Sequence, residues 1–357
     1  MNDTKRFSNN SIFFTLILIA ISKAFLFLLI KNGAISLDLG GGSDAEYYNG
    51  YALGFYDIAV NSWPIILRYL NNFDLYSREV ISYLFLFMNI VLIPILTCKI
   101  AGITFKKNQK LYLYCFAIIL IYPTLYFLSL DIYRDILMAF SFLIGCLVVK
   151  KSLHSNIFLC FIFYFSVSIV IGFFLLGLRP YLGYAFLLAL FLWKIKFTKK
   201  RLVFLAVLYF SALFFVNYLG YLNFLTDYRL GFEEGGGGST LGLNFSNPIM
   251  FIPNFVLSTF GQLFGLYITN PFAIMLLLIE TVPFFFMFVY VIKNIKWADS
   301  FVRFLIIFFV LYGSVWLIGN DNLGTAVRLR IYNYLAIYIS FFYILRLKSQ
   351  SLREQRC

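Results

Sequence analysis

The feature that most constrains this chain is a row of apolar runs, each about 20 residues long, repeating from end to end. A helix of that length crosses roughly 30 Å of hydrocarbon. Runs predict crossings near 12–31, 79–98, 111–130, 136–150, 157–177, 180–195, 202–220, 272–292, 300–318 and 331–347. No stretch is left over for a separate soluble domain. With 62% hydrophobic and only 13% charged residues among 357, a water-soluble globule could not cover its own apolar surface. The expected fold is therefore all-α: one polytopic integral membrane domain over residues 1–357 with about ten transmembrane helices.

The formal net charge of +13 does not point to nucleic acid, because the basic residues form short clusters between apolar runs, the pattern that encodes topology. Lys99 to Lys110, Lys150 and Lys151, Lys194 to Arg201, Lys293 and Lys296, and the tail from Arg346 fall on one side, which is read as the cytoplasm. The first run follows Lys5 and Arg6 as a signal peptide would. It is long, lacks a small-residue cleavage site and carries Lys23, so it is expected to stay as the first helix. The stretch 249–268 is apolar, but counting it as a crossing would invert every later basic cluster. It also holds Pro253, Asn254 and Gln262 and is expected to lie on, or dip into, the outer leaflet. The outer loops 32–78 and 221–271 then form the cover of any site. Cys98, Cys115, Cys146, Cys160 and Cys357 have no metal-ligand spacing, and His154 is the single histidine. Neither a metal set, nor a disulfide framework, nor a Ser–His relay is indicated.

On this topology the outer basic residues are Arg68, Arg78, Arg134, Arg179, Arg229, Arg328 and Arg330, with Lys31 the lone lysine. A guanidinium offers a planar fork to phosphate oxygens and stays protonated, which suits diphosphate recognition; anchoring to headgroups or pairing with acids is the plainer alternative. Arg328 and Arg330 point about 200° apart on a helix, so both reach one ligand only if the helix begins after them. Gly324 and Thr325 could add donors to an anion there.

Loop 38–57 is acidic, glycine-rich and tyrosine-rich. Ser43 and Glu46 have capping-box spacing, with Gly40 to Gly42 before them. A cap would also fix the aim of Asp44, a candidate general base for a sugar hydroxyl, with Glu46 or Asp57 orienting the acceptor. Tyr47, Tyr48, Tyr51 and Tyr56 could stack on sugars. Asp131-Ile-Tyr-Arg134-Asp135 and Arg179-Pro180 are short outer turns, and Arg134 with Asp135 could be a self-satisfied pair. The 227–242 loop, with four successive glycines, reads equally as a lid or a plain connector. Lys23 and Glu280 lie inside crossings, and an ion pair between them is expected.

Gly42-Ser-Asp-Ala-Glu-Tyr-Tyr48, Tyr133-Arg-Asp135, Arg179-Pro180 and Asn322-Leu-Gly-Thr-Ala-Val-Arg-Leu-Arg330 together resemble the small polytopic polymerases of O-antigen and capsule gene clusters, which in turn are similar to GT-C-type glycosyltransferases. The resemblance implies a GT-C-like fold in a bacterial inner membrane with its site facing the periplasm. Its implied activity is polymerisation of undecaprenyl-diphosphate-linked repeat units. Asp44 and Glu46 would be catalytic, with Arg134, Arg179, Arg229, Arg328 and Arg330 on the diphosphate and Tyr47, Tyr48, Asp57 and Asn322 on the sugar. No cofactor is required, although nearby acids could hold a divalent cation. The implied partners are the lipid-linked donor and acceptor, the bilayer and a chain-length regulator, with no nucleic acid. The paired Arg-x10-Gly loops of some O-antigen polymerases are absent, since Leu190 and Thr240 stand at that distance from Arg179 and Arg229. A transferase using a polyprenyl-phosphate sugar, an O-antigen ligase and a lipid-linked oligosaccharide flippase stay open; a flippase should show inverted repeats with broken helices.

Overall fold

The computed structural model describes residues 2–36, 44–234 and 239–354. Over these residues the protein is helical, and the sole β contact is a bridge between Thr240 and Asn322. Among the described residues seven helices are long and apolar enough to cross a membrane: Asn9–Lys31, Arg78–Ile100, Arg134–Leu153, Phe158–Leu178, Lys200–Tyr218, Pro271–Lys293 and Ser300–Gly319. The protein is thus an all-α chain built as a polytopic membrane protein. It divides into two compact units, Met1–Gly183 and Tyr184–Cys357, each described by itself.

The first unit begins with α1 (Asn2–Lys31), followed by the short α2 (Asp44–Ala52) and α3 (Ser62–Asn72) and the long α4 (Arg78–Ile100). Ser77 caps α4 by accepting from the Val80 amide at 3.4 Å, one of the orphan donors of a helix start. Within α4 the turn Met88–Leu92 widens to a π-turn two residues before Pro94. Proline has no amide to give the preceding turn, and a wider turn accommodates that loss.

The expected crossing 111–130 is not one helix. It divides into α5 (Gln109–Ile121) and α6 (Pro123–Leu128) because Tyr122, at ψ 106, is driven extended by the ring of Pro123. α7 (Arg134–Leu153) and α8 (Phe158–Leu178) then pair along their lengths. Arg179 is extended before Pro180 for the same reason, so the chain reverses into α9 (Pro180–Leu192). The reversal is tight enough that a Cβ on Gly183 would lie 2.3 Å from the Leu176 backbone. Phe27 of α1 packs with Leu86, Tyr126 and Leu130, and Leu16 with Leu113 and Leu120.

In the second unit, α10 (Lys199–Tyr218) and α11 (Asn223–Glu234) precede the irregular segment 239–247. α12 (Phe251–Ser258) runs on through a π-turn to Leu263. Those 13 residues extend about 20 Å at 1.5 Å each, too short to span as a helix. α13 (Pro271–Lys293) carries a π-turn at Leu277–Thr281, again two residues before a proline, Pro283. α14 (Ser300–Gly319) and the 32-residue α15 (Leu323–Glu354) form the most buried pair of this unit. Their polar groups satisfy one another: Trp316 Nε1 donates to Asn333 Oδ1 at 2.9 Å, Asn333 Nδ2 to the Phe309 carbonyl at 2.8 Å, and Tyr312 to the Leu329 carbonyl at 3.0 Å. With no water in a bilayer core, such internal pairing is what a polar side chain requires.

Candidate functional site

Ser43 and Gly40 to Gly42 lie outside the described residues. α2 starts on Asp44, with Glu46 in its first turn. Asp44 is half-buried, Glu46 and Asp57 are exposed, and Tyr48 is buried within the unit. Tyr47 is half-buried, stacked with Tyr56 at 5.5 Å and edge-on to Tyr48 at 5.7 Å. Its hydroxyl donates to the Ile58 carbonyl. The four tyrosines thus form one ring cluster, Tyr48 and Tyr51 buried and Tyr56 exposed, with the Arg68 guanidinium 3.8 Å from the Tyr51 ring.

Three contacts fasten α2 to the turn that follows α6. Tyr76 donates to Asn49 Oδ1 of α2 at 2.7 Å. Arg68 of α3 donates to the Tyr51 carbonyl at 2.9 Å. Trp63, at the start of α3, donates through Nε1 to the Ile132 carbonyl at 2.8 Å. Arg78 grips Asp131 in the same turn with two parallel bonds, at 2.9 and 2.5 Å. Glu46 lies within electrostatic reach of that Arg78 guanidinium. Burial works to raise the Asp131 carboxyl, but the Arg78 bonds, the Ile132 amide and the charges of Arg78 and Lys31 outweigh it and hold Asp131 below the usual range. Burial pushes the Tyr76 phenol up to about 12 despite the opposing charge of Arg78.

Arg134 and Asp135 do not pair with each other. Neighbours on a helix diverge by about 100°, so Asp135 turns inward, fully buried, and meets the buried Arg179 at 3.3 Å. Arg134 is half-buried; its Nη1 donates to the Leu178 carbonyl at 3.0 Å, and its buried Nε has no partner. The first unit therefore links α2, through α3, to the 131–135 turn and that turn to the 178–180 turn, a rim on which Arg134 bonds a backbone carbonyl and no described carboxylate.

In the second unit the expected ligands are arranged differently. Arg229 of α11 is 1% exposed. It donates to the carbonyls of Leu243 at 3.0 Å, Leu317 at 3.1 Å and Asn320 at 2.6 Å, and pairs with the Asp321 carboxylate. Asp321 also accepts from the Gly242 amide at 3.0 Å, and the Leu323 amide donates to the Ser239 carbonyl at 2.9 Å. Residues 227–234 of the expected loop are helical, the later part of α11, and the described residues 239–242 after it are tied to the start of α15. Asp321 was not singled out from the sequence; an aspartate at the mouth of a helix between two spans was the available signal.

α15 begins at Leu323, before both Arg328 and Arg330, so the condition for a shared ligand is not met. Arg330 is buried and donates to Glu280 Oε2 at 2.8 Å, whereas Arg328 is half-buried on another face. The expected pair of Lys23 with Glu280 is likewise replaced: Glu280 is held by Arg330, and Lys23 donates to the Leu120 carbonyl at 2.5 Å beneath the Tyr126 ring. Asn322, half-buried, accepts from the Thr325 amide at 2.9 Å. Among the described residues no group of three or more His, Cys, Asp and Glu side chains converges.

No protein-family model, curated protein or solved structure matches this chain.

Proposed function

We propose that the chain is a glycosyltransferase that joins lipid-linked oligosaccharide repeat units into O-antigen or capsular polysaccharide at the periplasmic face of a bacterial inner membrane. The observation that carries this reading is Arg134: a guanidinium with an unpartnered buried Nε on a rim fastened to the acidic helix α2. In the proposed step Asp44 takes the proton of an acceptor hydroxyl as its oxygen attacks the anomeric carbon of the donor chain. The bond from that carbon to undecaprenyl diphosphate breaks, and the departing diphosphate keeps the electron pair. Arg134 stabilises the charge developing there, the kind of fixed electrostatics that lowers such barriers most. Arg179 contributes by holding Asp135 behind it. The reading keeps a GT-C-like architecture with ten crossings, in which α15, α9 and the broken α5–α6 join the seven long helices and α12 dips into the outer leaflet.

The purified protein in proteoliposomes, supplied with a synthetic undecaprenyl-diphosphate repeat unit, should give a ladder of lengthening products, and Asp44→Asn should give none. Full-length polymer from Asp44→Asn would end the assignment of the base. A single-step increment would indicate a one-sugar transferase or a ligase instead.

A transporter reading draws on a different observation. A π-turn two residues before a proline occurs in a span of each unit, and the one in α13 holds the buried Glu280. Repeat units that accumulate on the inner leaflet in cells lacking the protein would favour it over the transferase.

A further inference from the structure

Between the end of α1 and the start of α4 the chain carries large apolar side chains that the rest of the protein leaves uncovered. Phe55 is 76% exposed, Ile58 82%, Phe73 72% and Leu75 71%. These are not scattered. On α3, Trp63 and Leu67 are one helical turn apart and buried, while Ile65, Tyr69 and Phe73 repeat at the same spacing along the outward face and are exposed. A short surface helix in water turns its polar side outward; this one sets Ile65 and Tyr69 outward alongside Asn72. A contiguous patch of this kind marks an interaction surface.

Three further observations identify what covers it. The spans on either side in sequence also expose large apolar side chains, Phe25 and Leu28 on α1 and Val80, Leu84 and Phe87 on α4. Three backbone groups of the extended stretch 56–60 find partners within the protein: Arg68 donates to the Tyr56 carbonyl, Tyr47 donates to the Ile58 carbonyl, and the Val60 amide donates to the Tyr47 hydroxyl at 3.3 Å. Hydrocarbon demands such satisfaction and water does not. Finally, Asp57 and Asp74 are exposed and stand between apolar neighbours of the patch, which sets a limit on depth.

We infer that the α2–α3 module is an interfacial anchor. Its uncovered side chains insert among lipid acyl chains just below the headgroups, on the side of the membrane where α1 ends and α4 begins. Asp57 and Asp74 keep the insertion to the roughly 5–10 Å typical of interfacial helices. The acids of α2 are thereby carried at headgroup depth, in the layer through which any lipid-linked group would pass. The inference is independent of the transferase reading.

The test uses the full-length protein in phosphatidylcholine–phosphatidylglycerol nanodiscs, with Cys160 and Cys357 replaced by Ser. A single NBD label is placed at Ile58→Cys or Phe73→Cys, and at Lys106→Cys as a water reference. The labels at 58 and 73 should emit to the blue, be quenched several-fold more by lipids with a shallow acyl nitroxide than by unlabelled lipids, and resist iodide. Water-like emission with full iodide access would overturn the inference. So would protection present in discs with two copies and lost in discs with one, which would assign the patch to a second copy. Ile58→Asp with Phe73→Asp alters side chains that face away from the protein, so melting in detergent should be unchanged while proteolysis of segment 53–75 in proteoliposomes rises several-fold; unchanged proteolysis would also count against it.

Discussion

Arg229 provides the sharpest test of whether an arginine in this chain holds the protein or a ligand. Its guanidinium, 1% exposed, faces the fully buried Asp321 and the carbonyls at the end of α14. Replacing it with methionine keeps most of the bulk and strands a carboxylate whose remaining described donor is the Gly242 amide. Breaking one side of a buried pair in this way costs about 3–5 kcal/mol. Neutralising the acid as well, in Arg229→Met with Asp321→Asn, removes the stranded charge and leaves mainly the lost bonds to carbonyls, about 1–2 kcal/mol. The double variant should therefore be more stable than Arg229→Met alone, with a coupling of about 2 kcal/mol. Equilibrium unfolding in mixed micelles, followed by tryptophan fluorescence, measures all three variants; Trp316 lies one helix turn before Asn320, within the affected region. A cost below about 1 kcal/mol for Arg229→Met, or a double variant that costs the sum of the singles, refutes the clamp. A ligand arginine would behave in the opposite way, losing activity with no change in unfolding.

Arg328→Ala is expected to abolish polymer in the proteoliposome assay while the melting temperature in detergent stays put; a normal ladder would remove it from the list of ligands. Gly183→Ala places a methyl group 2.3 Å from the Leu176 backbone, so it should destabilise by about 1–3 kcal/mol or prevent assembly, read as a lower unfolding midpoint. For Asp131, whose carboxyl is held below its ordinary value, the pair with Arg78 contributes stability that is present above about pH 4 and lost as pH falls through the depressed folded value. Asp131→Asn should accordingly cost about 1 kcal/mol at pH 7, the pair being partly exposed, and the gap from the parent should close on acidification; a gap that persists below the depressed value would contradict the sign.

The apolar runs made the long helices legible because length and hydropathy alone decide whether a segment can span. The break at Tyr122–Pro123 was also written in the sequence, as a proline inside an apolar run, but the run length outweighed it. The partners of the arginines were not legible. Arg134 and Asp135 are adjacent, which suggests a pair, yet a helix sends adjacent side chains apart and delivers Asp135 to Arg179 in the extended turn after α8. Arg328 and Arg330 were separable from the helical repeat alone, once the start of α15 was fixed at Leu323. Asp321 and Glu280 gained their partners through tertiary packing, which no local pattern encodes.

The preference for arginine over lysine on the expected outer side, read from the sequence as phosphate recognition, has a second cause in the structure. Arg78, Arg179, Arg229 and Arg330 each hold an acid, three of them where both partners are almost wholly buried. A guanidinium keeps its proton when desolvated and gives several directed bonds at once, whereas an ammonium is strongly hydrated and readily loses its charge. Residue type alone therefore cannot separate a clamp from a ligand; what separates them is whether the chain supplies the carboxylate. No carboxylate among the described residues pairs with Arg134, and its described bond is to a single backbone carbonyl. The two arginines of the same rim should then part company under one conservative change. Arg179→Lys should lower the unfolding midpoint by disturbing the buried contact of its Nη2 with Asp135, and Arg134→Lys should leave unfolding within about 0.5 kcal/mol of the parent while polymer length falls. Equal destabilisation by both changes would show that Arg134 is one more clamp, and the transferase site would lose the group on which it rests.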